Sequence, residues 1–338
     1  MSAIRERLAR AIYAFPAESR LLGAGRTLIA LAQASVLLFT PAAYLFVPVG
    51  GEEVAVDCAG LPEQLSVYCL ADDSQRQLVT WCLLGMLLVV ASGLLPRFTS
   101  LLHLWVSLSI HNSISLPDGG EAVAMVATLF LVLACANDRR VWHWQRPRVR
   151  ASASILQGVA WAGLWGLRLQ MAYVYLNSAV AKLSVAPWQE GTATYYVARM
   201  ENFGAAGLFA DLVIWSTGTA LLAVATTWGS ILAEATLAVF LVRRNVLQVC
   251  ALAISVALHV SIMIQLGIVS FALIMIGAVL CATSRGVATV ADRLLTNRRA
   301  ARIRDSRVTR DRDPHEDSLI AVTPRSGSDE RGLTEVGL

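Results

Sequence analysis

Arg168, Tyr175 and Lys182 are spaced seven residues apart within a long, mostly apolar stretch. Seven residues is two helical turns, so the three side chains share one helical face. Ionisable groups inside such a stretch are costly and raise the hypothesis of a site. A buried lysine can act as a base or as a charge partner; near a helix end it can equally snorkel to the interface. Glu234, His259 and His111 lie in other apolar stretches, and Asp118 follows His111 closely. A histidine there can move protons or can be a hydrogen-bonded packing residue. Gln170, Tyr173 and Asn177 fall on roughly the opposite face of the lysine's helix. A helix polar on both sides is expected at the centre of a bundle.

The elements carrying these residues are transmembrane helices. The 338 residues are 56% hydrophobic and 15% charged, with a mean hydropathy of +0.58. Soluble domains sit near 25% charged. Apolar runs reach the ~20 residues that cross a bilayer. The expected fold class is an all-α integral membrane protein, a bundle of about eight helices. The spans read as Thr27–Val47, Gln77–Leu95, Phe98–Ser115, Gly120–Ala136, Ile155–Leu183, Ala220–Val242, Val246–Leu266 and Gly267–Ala282. Residues 1–26 form an N-terminal cytoplasmic segment, without the cleavage site of a removed signal peptide. Residues 27–284 form the membrane domain. Residues 285–338 are a basic cytoplasmic tail, largely disordered from about Thr296, in which Ala288–Ile303 could lie as a helix on the inner leaflet.

Charge sets the orientation. Arg5, Arg7, Arg10, Arg20 and Arg26 precede the first span, and residues 137–150 carry five arginines. Arg243, Arg244 and Arg285 follow later spans. The loop 48–76 holds Glu52, Glu53, Asp57, Glu63, Asp72 and Asp73. Eight spans in the cell membrane with both termini cytoplasmic place every basic cluster inside. The segment Trp188–Thr219 is then an outer connector, amphipathic or re-entrant. The charge pattern implies no nucleic-acid partner; the expected partner is the bilayer.

Depth follows from a rise of 1.5 Å per residue. Arg168 and Glu234 both come out roughly 21 Å below the outer side, which makes them a candidate ion pair, structural or proton-relaying. Lys182, His259, His111 and Asp118 lie nearer the outer side and could line one outward-facing cavity. His103, Ser107 and His111 share a face at spacing i, i+4, i+8, which matches no metal signature; no metal site is expected.

Of six cysteines, Cys82, Cys135, Cys250 and Cys281 lie in or at the ends of spans, where they read as packing residues. Cys58 and Cys69 share the acidic outer loop, where disulfides persist. A Cys58–Cys69 bridge is favoured over two free thiols.

The stretch Tyr175-Leu-Asn-Ser-Ala-Val-Ala-Lys182-Leu183, followed by Trp188-Gln-Glu-Gly191, resembles the horizontally transferred transmembrane (HTTM) domain. Leu258-His259 with Gly267 and Phe271, and Trp228-Gly229 with Glu234, extend the resemblance across roughly residues 20–284. That group includes vitamin K-dependent gamma-carboxylases and sporulation-delaying protein B-like proteins. The resemblance implies a catalytic set of Lys182, His259, Tyr175 and His111. It places Trp188, Gly191 and Asn177 beside a lipid-soluble cofactor such as a quinone or hydroquinone. In the carboxylases the matching lysine looks like the base that deprotonates reduced vitamin K. Here Ala181 replaces a second lysine, and no large lumenal domain is present. The first outer loop looks closer to the sporulation-delaying protein B group.

Three functions follow as expectations. The first is a membrane factor that matures or exports a secreted antimicrobial or toxin peptide, acting with that peptide and a small partner protein. The second is a quinol-coupled carboxylase-type enzyme with Lys182 as base. The third is a non-enzymatic transporter or peptide-binding scaffold.

Overall fold

In a computed structural model the described residues are 15–48, 58–115, 117–147, 154–201 and 204–312, with 6, 9, 12, 13 and 56; side chains are described as far as residue 302. Residues Met1–Val290 form one compact unit and Ala291–Leu338 another. Eight long helices are found among the described residues. They are α1 (Arg20–Phe39), α2 (Arg76–Ser92), α3 (Pro96–Ser113), α4 (Gly119–Cys135), α5 (Ile155–Lys182), α6 (Ala220–Leu241), α7 (Asn245–Leu266) and α8 (Val269–Arg312). Four are long and apolar enough to cross a bilayer: α1, α6, α7 and, within α8, Val269–Arg302. α2 and α4 are apolar but shorter.

Local chemistry sets the ends. Ser19 caps α1 by accepting from the Leu21 amide. Pro41, which cannot continue a helix, follows the α1 C-cap Thr40. The first span therefore begins seven residues earlier than expected and ends eight earlier. Arg26, expected in the N-terminal segment, is buried within α1 and donates to Thr99 Oγ1 at 3.0 Å. Arg5, Arg7 and Arg10 lie outside the described residues, as do Glu52, Glu53, Asp57, Arg148 and Arg150. A capping box of Ser154 and Gln157 starts α5. Gly267, at φ 69°, closes α7 in the left-handed region.

α8 does not stop at Ala282. No proline interrupts the chain from Val269 to Arg312, and its Ala, Arg and Leu residues are good helix formers. The segment expected to lose order from Thr296 is thus helical as far as Arg312, and the side chains of residues 291–302 are exposed. The rest of the expected disordered tail, 313–338, lies outside the described residues.

Two apolar clusters meet at α1. Ile29 and Ala32 belong to a cluster with α4–α8, whereas Ala30, Ala34 and Leu37 pack with α2, α3 and the loop after α1. Close approach depends on small residues, because lipid offers helices no hydrophobic drive to associate. A Cβ on Gly277 of α8 would meet the Gly25 carbonyl of α1 at 2.9 Å. A Cβ on Gly163 of α5 would meet the Phe130 carbonyl of α4 at 2.8 Å.

Cys58 and Cys69 form a disulfide with Cα atoms 5.8 Å apart. Its loop lies against α2 and α3. The Ser66 and Ser113 hydroxyls are 2.7 Å apart, and the Tyr68 hydroxyl is 3.0 Å from Thr80 Oγ1. Burial pushes the Tyr68 phenol up to about 12.

At the opposite end, the loop after α4 is fastened by a buried Arg140–Asp138 pair at 2.6 Å. Arg140 also donates to the His143 and Gln145 carbonyls. This arginine, counted in the basic cluster 137–150, is therefore neutralised by its neighbour. The His143 ring lies where a Cβ on Gly23 or Gly93 would be, and the His143 amide donates to the Gly93 carbonyl. Burial, with the Arg26 and Arg140 charges adding to it, holds His143 down to about 4, below its ordinary 6.5. The folded chain thus favours neutral His143, and the unfolded chain protonates first as pH falls. This stability is complete above pH ~6.5 and is lost as pH drops toward 4. In detergent, the melting temperature should fall between pH 7 and pH 5, and His143→Gln should flatten that slope. An identical slope in the variant would contradict the assignment.

Candidate functional site

Lys182 occupies the last turn of α5, and Glu234 faces it from the middle of α6. The ammonium donates to Glu234 Oε1 at 2.6 Å and Oε2 at 2.7 Å. It also donates to the Ser178 hydroxyl at 2.7 Å, and Ser178 in turn donates to Glu234 Oε1 at 3.1 Å. The triangle is closed: every partner is a hydrogen-bonding neighbour of the other two. The Trp188 ring covers the ammonium at 5.1 Å, within cation–π range.

This pairing replaces the expected Arg168–Glu234 pair. Arg168 instead donates through Nε to the Ala282 carbonyl of α8 at 2.7 Å and lies over the Trp165 ring. The depth estimate failed because α5 and α6 do not begin level. α6 overhangs the end of α5, and the short helix Ala193–Val197 packs beside the overhang. Thr194 donates its amide to Thr227 Oγ1 and its hydroxyl to the Ala223 carbonyl. Fourteen residues into α6 is therefore the level of Lys182, not of Arg168.

The triangle forms one wall of a cavity of about 590 Å³. α5, α6, α7, the first turn of α8 and the connector after α5 enclose it. Ile254, Leu258, Ile262 and Phe271 give it apolar walls, and Thr226, Ser230 and Gln265 add isolated polar groups. Apolar walls with a few converging polar groups and a volume of several hundred Å³ are the usual form of a small-molecule site.

The other expected residues divide. Tyr175 and His259 stand behind the cavity. The Tyr175 hydroxyl is 3.2 Å from Ser255 Oγ, and His259 Nδ1 is 2.9 Å from the Ser255 carbonyl, which fixes Nδ1 as the protonated nitrogen. The two rings meet edge to face at 5.9 Å, and the ring of Phe271, which lines the cavity, lies 5.7 Å from that of His259. His111 is not brought here: it lies at the end of α3 and is absent from the cavity wall. Asp118 is likewise elsewhere, capping α4. Asn177 is exposed and Tyr173 is 63% exposed. One face of α5 is therefore uncovered within the chain, contrary to a fully central position.

Gly191 touches no cavity space but makes the cavity possible. At φ 77° it ends the turn that carries Trp188, and a Cβ there would meet Val224 Cγ2 at 2.9 Å. This gives the Trp-x-x-Gly spacing a mechanical reason. Ser178, Thr194 and Gln33 were missed by sequence reasoning. Ser178 alone had a signal, four residues before Lys182 on the same face.

His103 and Ser107 converge on Gln33 of α1 instead of on a metal. Both approach Gln33 Oε1, at 3.2 and 2.9 Å, while Gln33 Nε2 donates to Glu121 Oε2 at 2.7 Å. Among the described residues, no group of three or more His, Cys, Asp or Glu is placed to hold a metal ion.

Helices of bilayer-spanning length with polar groups gathered inside define a helical membrane protein. Over 257 residues the chain is 32% identical to the uncharacterised protein YitO of Bacillus subtilis, covering 75% of this chain and 82% of that protein. The sporulation-delaying protein SdpB of the same organism is 28% identical over 257 residues, 75% of this chain and 78% of SdpB. The chain belongs to the family of YitO and is related to SdpB. No protein-family model matches it, and no solved structure does.

Replacing Gly191 by valine forces a branched side chain into the left-handed region and against Val224. The two effects together should cost ~2–4 kcal/mol. Gly191→Val should melt well below the wild type in detergent, with Gly191→Ala between them. Equal melting temperatures would show that the turn does not need glycine.

Proposed function

We propose that the chain is a plasma-membrane factor related in role to SdpB, required to mature or export a secreted antimicrobial or toxin peptide. In this reading it spans the membrane eight times with both termini cytoplasmic. α2–α5 count as spans alongside the four most apolar helices, and α5 is diluted by the polar residues that build the site. The disulfide-bearing loop and the Lys182 cavity then face outward, where a secreted peptide would be received. The carrying observation is the conjunction of the SdpB relationship with a closed Lys182–Glu234–Ser178 triangle in an apolar cavity.

The cavity would accept the end of an extended peptide or a ring-sized lipid-soluble molecule such as a quinone, with Lys182 and Trp188 at its head. The carboxylase reading has less support. It needs a free amine lone pair at Lys182, whereas the three contacts to Ser178 and Glu234 match the three N–H donors of an ammonium. With its donors committed, Lys182 acts as the fixed charge partner of Glu234 and not as a base.

Lys182→Met and Glu234→Gln should each reduce the mature extracellular peptide at least tenfold, as read by mass spectrometry of the culture medium. Immunoblotting of membranes should show the protein still present. Undiminished mature peptide in Lys182→Met would remove the cavity from the function.

A further inference from the structure

A second cavity, of about 310 Å³, opens at the same end of the bundle and is acidic where the first is neutralised. It lies between the end of α1, the α3–α4 turn and the first turn of α8. That first turn of α8 separates the two cavities: Ile268 and Phe271 line the larger one, and Ser270 lines the smaller. Asp118 and Glu121 are its carboxylates, Tyr44 adds a phenol, and no basic side chain lines it among the described residues.

The carboxylates are unequally committed. Asp118 Oδ1 accepts from the Glu121 amide at 3.0 Å and so caps α4, and Oδ2 lies 3.4 Å from the Ser270 hydroxyl. Glu121 is 2% exposed, and its Oε2 accepts from Gln33 Nε2. Its Oε1 has no partner among the described residues. An unpaired buried carboxylate oxygen is expensive, and a native fold that keeps one invites a ligand as explanation.

Gln33 fixes the arrangement. Its amide nitrogen is spent on Glu121, so its carbonyl must accept, and Ser107 and His103 Nε2 both donate to it. This chain holds Glu121 in place from behind without neutralising it. Beside it α4 packs closely on α8: a Cβ on Gly120 would meet Phe271 Cα at 2.9 Å.

We infer that this cavity binds a primary ammonium group through Glu121 Oε1, with Asp118 adding negative potential. The walls decide among cations. Val36, Leu45, Val47 and Ile114 give the space an apolar lining that suits a hydrocarbon stem behind a charged head. A calcium ion takes six to eight oxygen ligands, and here a single carboxylate oxygen is uncommitted. The ammonium can come from a lysine or amino terminus of a peptide, or from the headgroup of an ethanolamine phospholipid. The site is independent of the Lys182 cavity and stands whether or not the chain matures a peptide.

The test uses the full-length protein in nanodiscs of phosphatidylcholine, with hexylammonium chloride as probe and binding followed by calorimetry. Saturable binding is expected for hexylammonium and not for hexanol. Glu121→Gln should weaken it at least tenfold while keeping the melting temperature, because glutamine can still accept from Gln33. Asp118→Asn should weaken it less. Nanodiscs containing phosphatidylethanolamine should compete with the probe if lipid is the source, and an N-acetylated lysine peptide should compete if peptide is. Equal binding by wild type and Glu121→Gln, or binding of calcium chloride without binding of hexylammonium, would overturn the inference.

Discussion

The contact between Lys182 and Glu234 is the constraint on which the rest of the site depends. Two opposite charges inside an apolar bundle are tolerable only when paired, and removing one partner leaves the other stranded. The pair fixes the register of α5 against α6, because only one sliding position brings the last turn of α5 to the middle of α6. That offset forces α6 to overhang, and the connector with Thr194 and Trp188 fills the resulting shelf. The cavity is the space left between this shelf, α7 and the start of α8. Ser178 and Trp188 then finish the charge pair from either side.

The same end of the bundle holds a second, acidic cavity across the first turn of α8. The two differ in what their carboxylates have available. Glu234 is saturated by Lys182 and Ser178, so the larger cavity presents a neutralised pair behind apolar walls. Glu121 keeps one free oxygen, so the smaller cavity retains a net negative face.

Much of the bundle was legible because hydropathy and helix-stop chemistry are local. Helices α2 to α7 fall within three residues of the expected limits, and the Cys58–Cys69 bridge follows from two cysteines sharing one loop. The start of α1 was misplaced because Arg20 and Arg26 were read as loop charges, yet Arg26 is buried and bonded to Thr99. The end of α8 was misplaced because the span was closed at Ala282, although Ala288–Ile303 was also read as a possible helix and is helical. Within the site, Lys182 was found from its spacing with Arg168 and Tyr175, and Trp188 only through the family resemblance. The partner of Glu234 was not, since depth counted along each helix assumes that neighbours start level. His111 and His103 were grouped by one helical face, but the residue that separates their roles, Gln33, lies on another helix and carries no local signal.

A double-mutant cycle on the stability of the membrane-embedded protein tests the central pair most directly. Lys182→Met and Glu234→Leu are compared singly and together, with Arg168→Met and Glu234→Leu as the control cycle. A stranded charge should make each single variant melt lower, and the double variant should recover most of the loss, a coupling of at least ~1 kcal/mol. The Arg168 cycle should be additive. Additive losses for Lys182 and Glu234, or coupling between Arg168 and Glu234 instead, would contradict the register on which this account of the cavity rests.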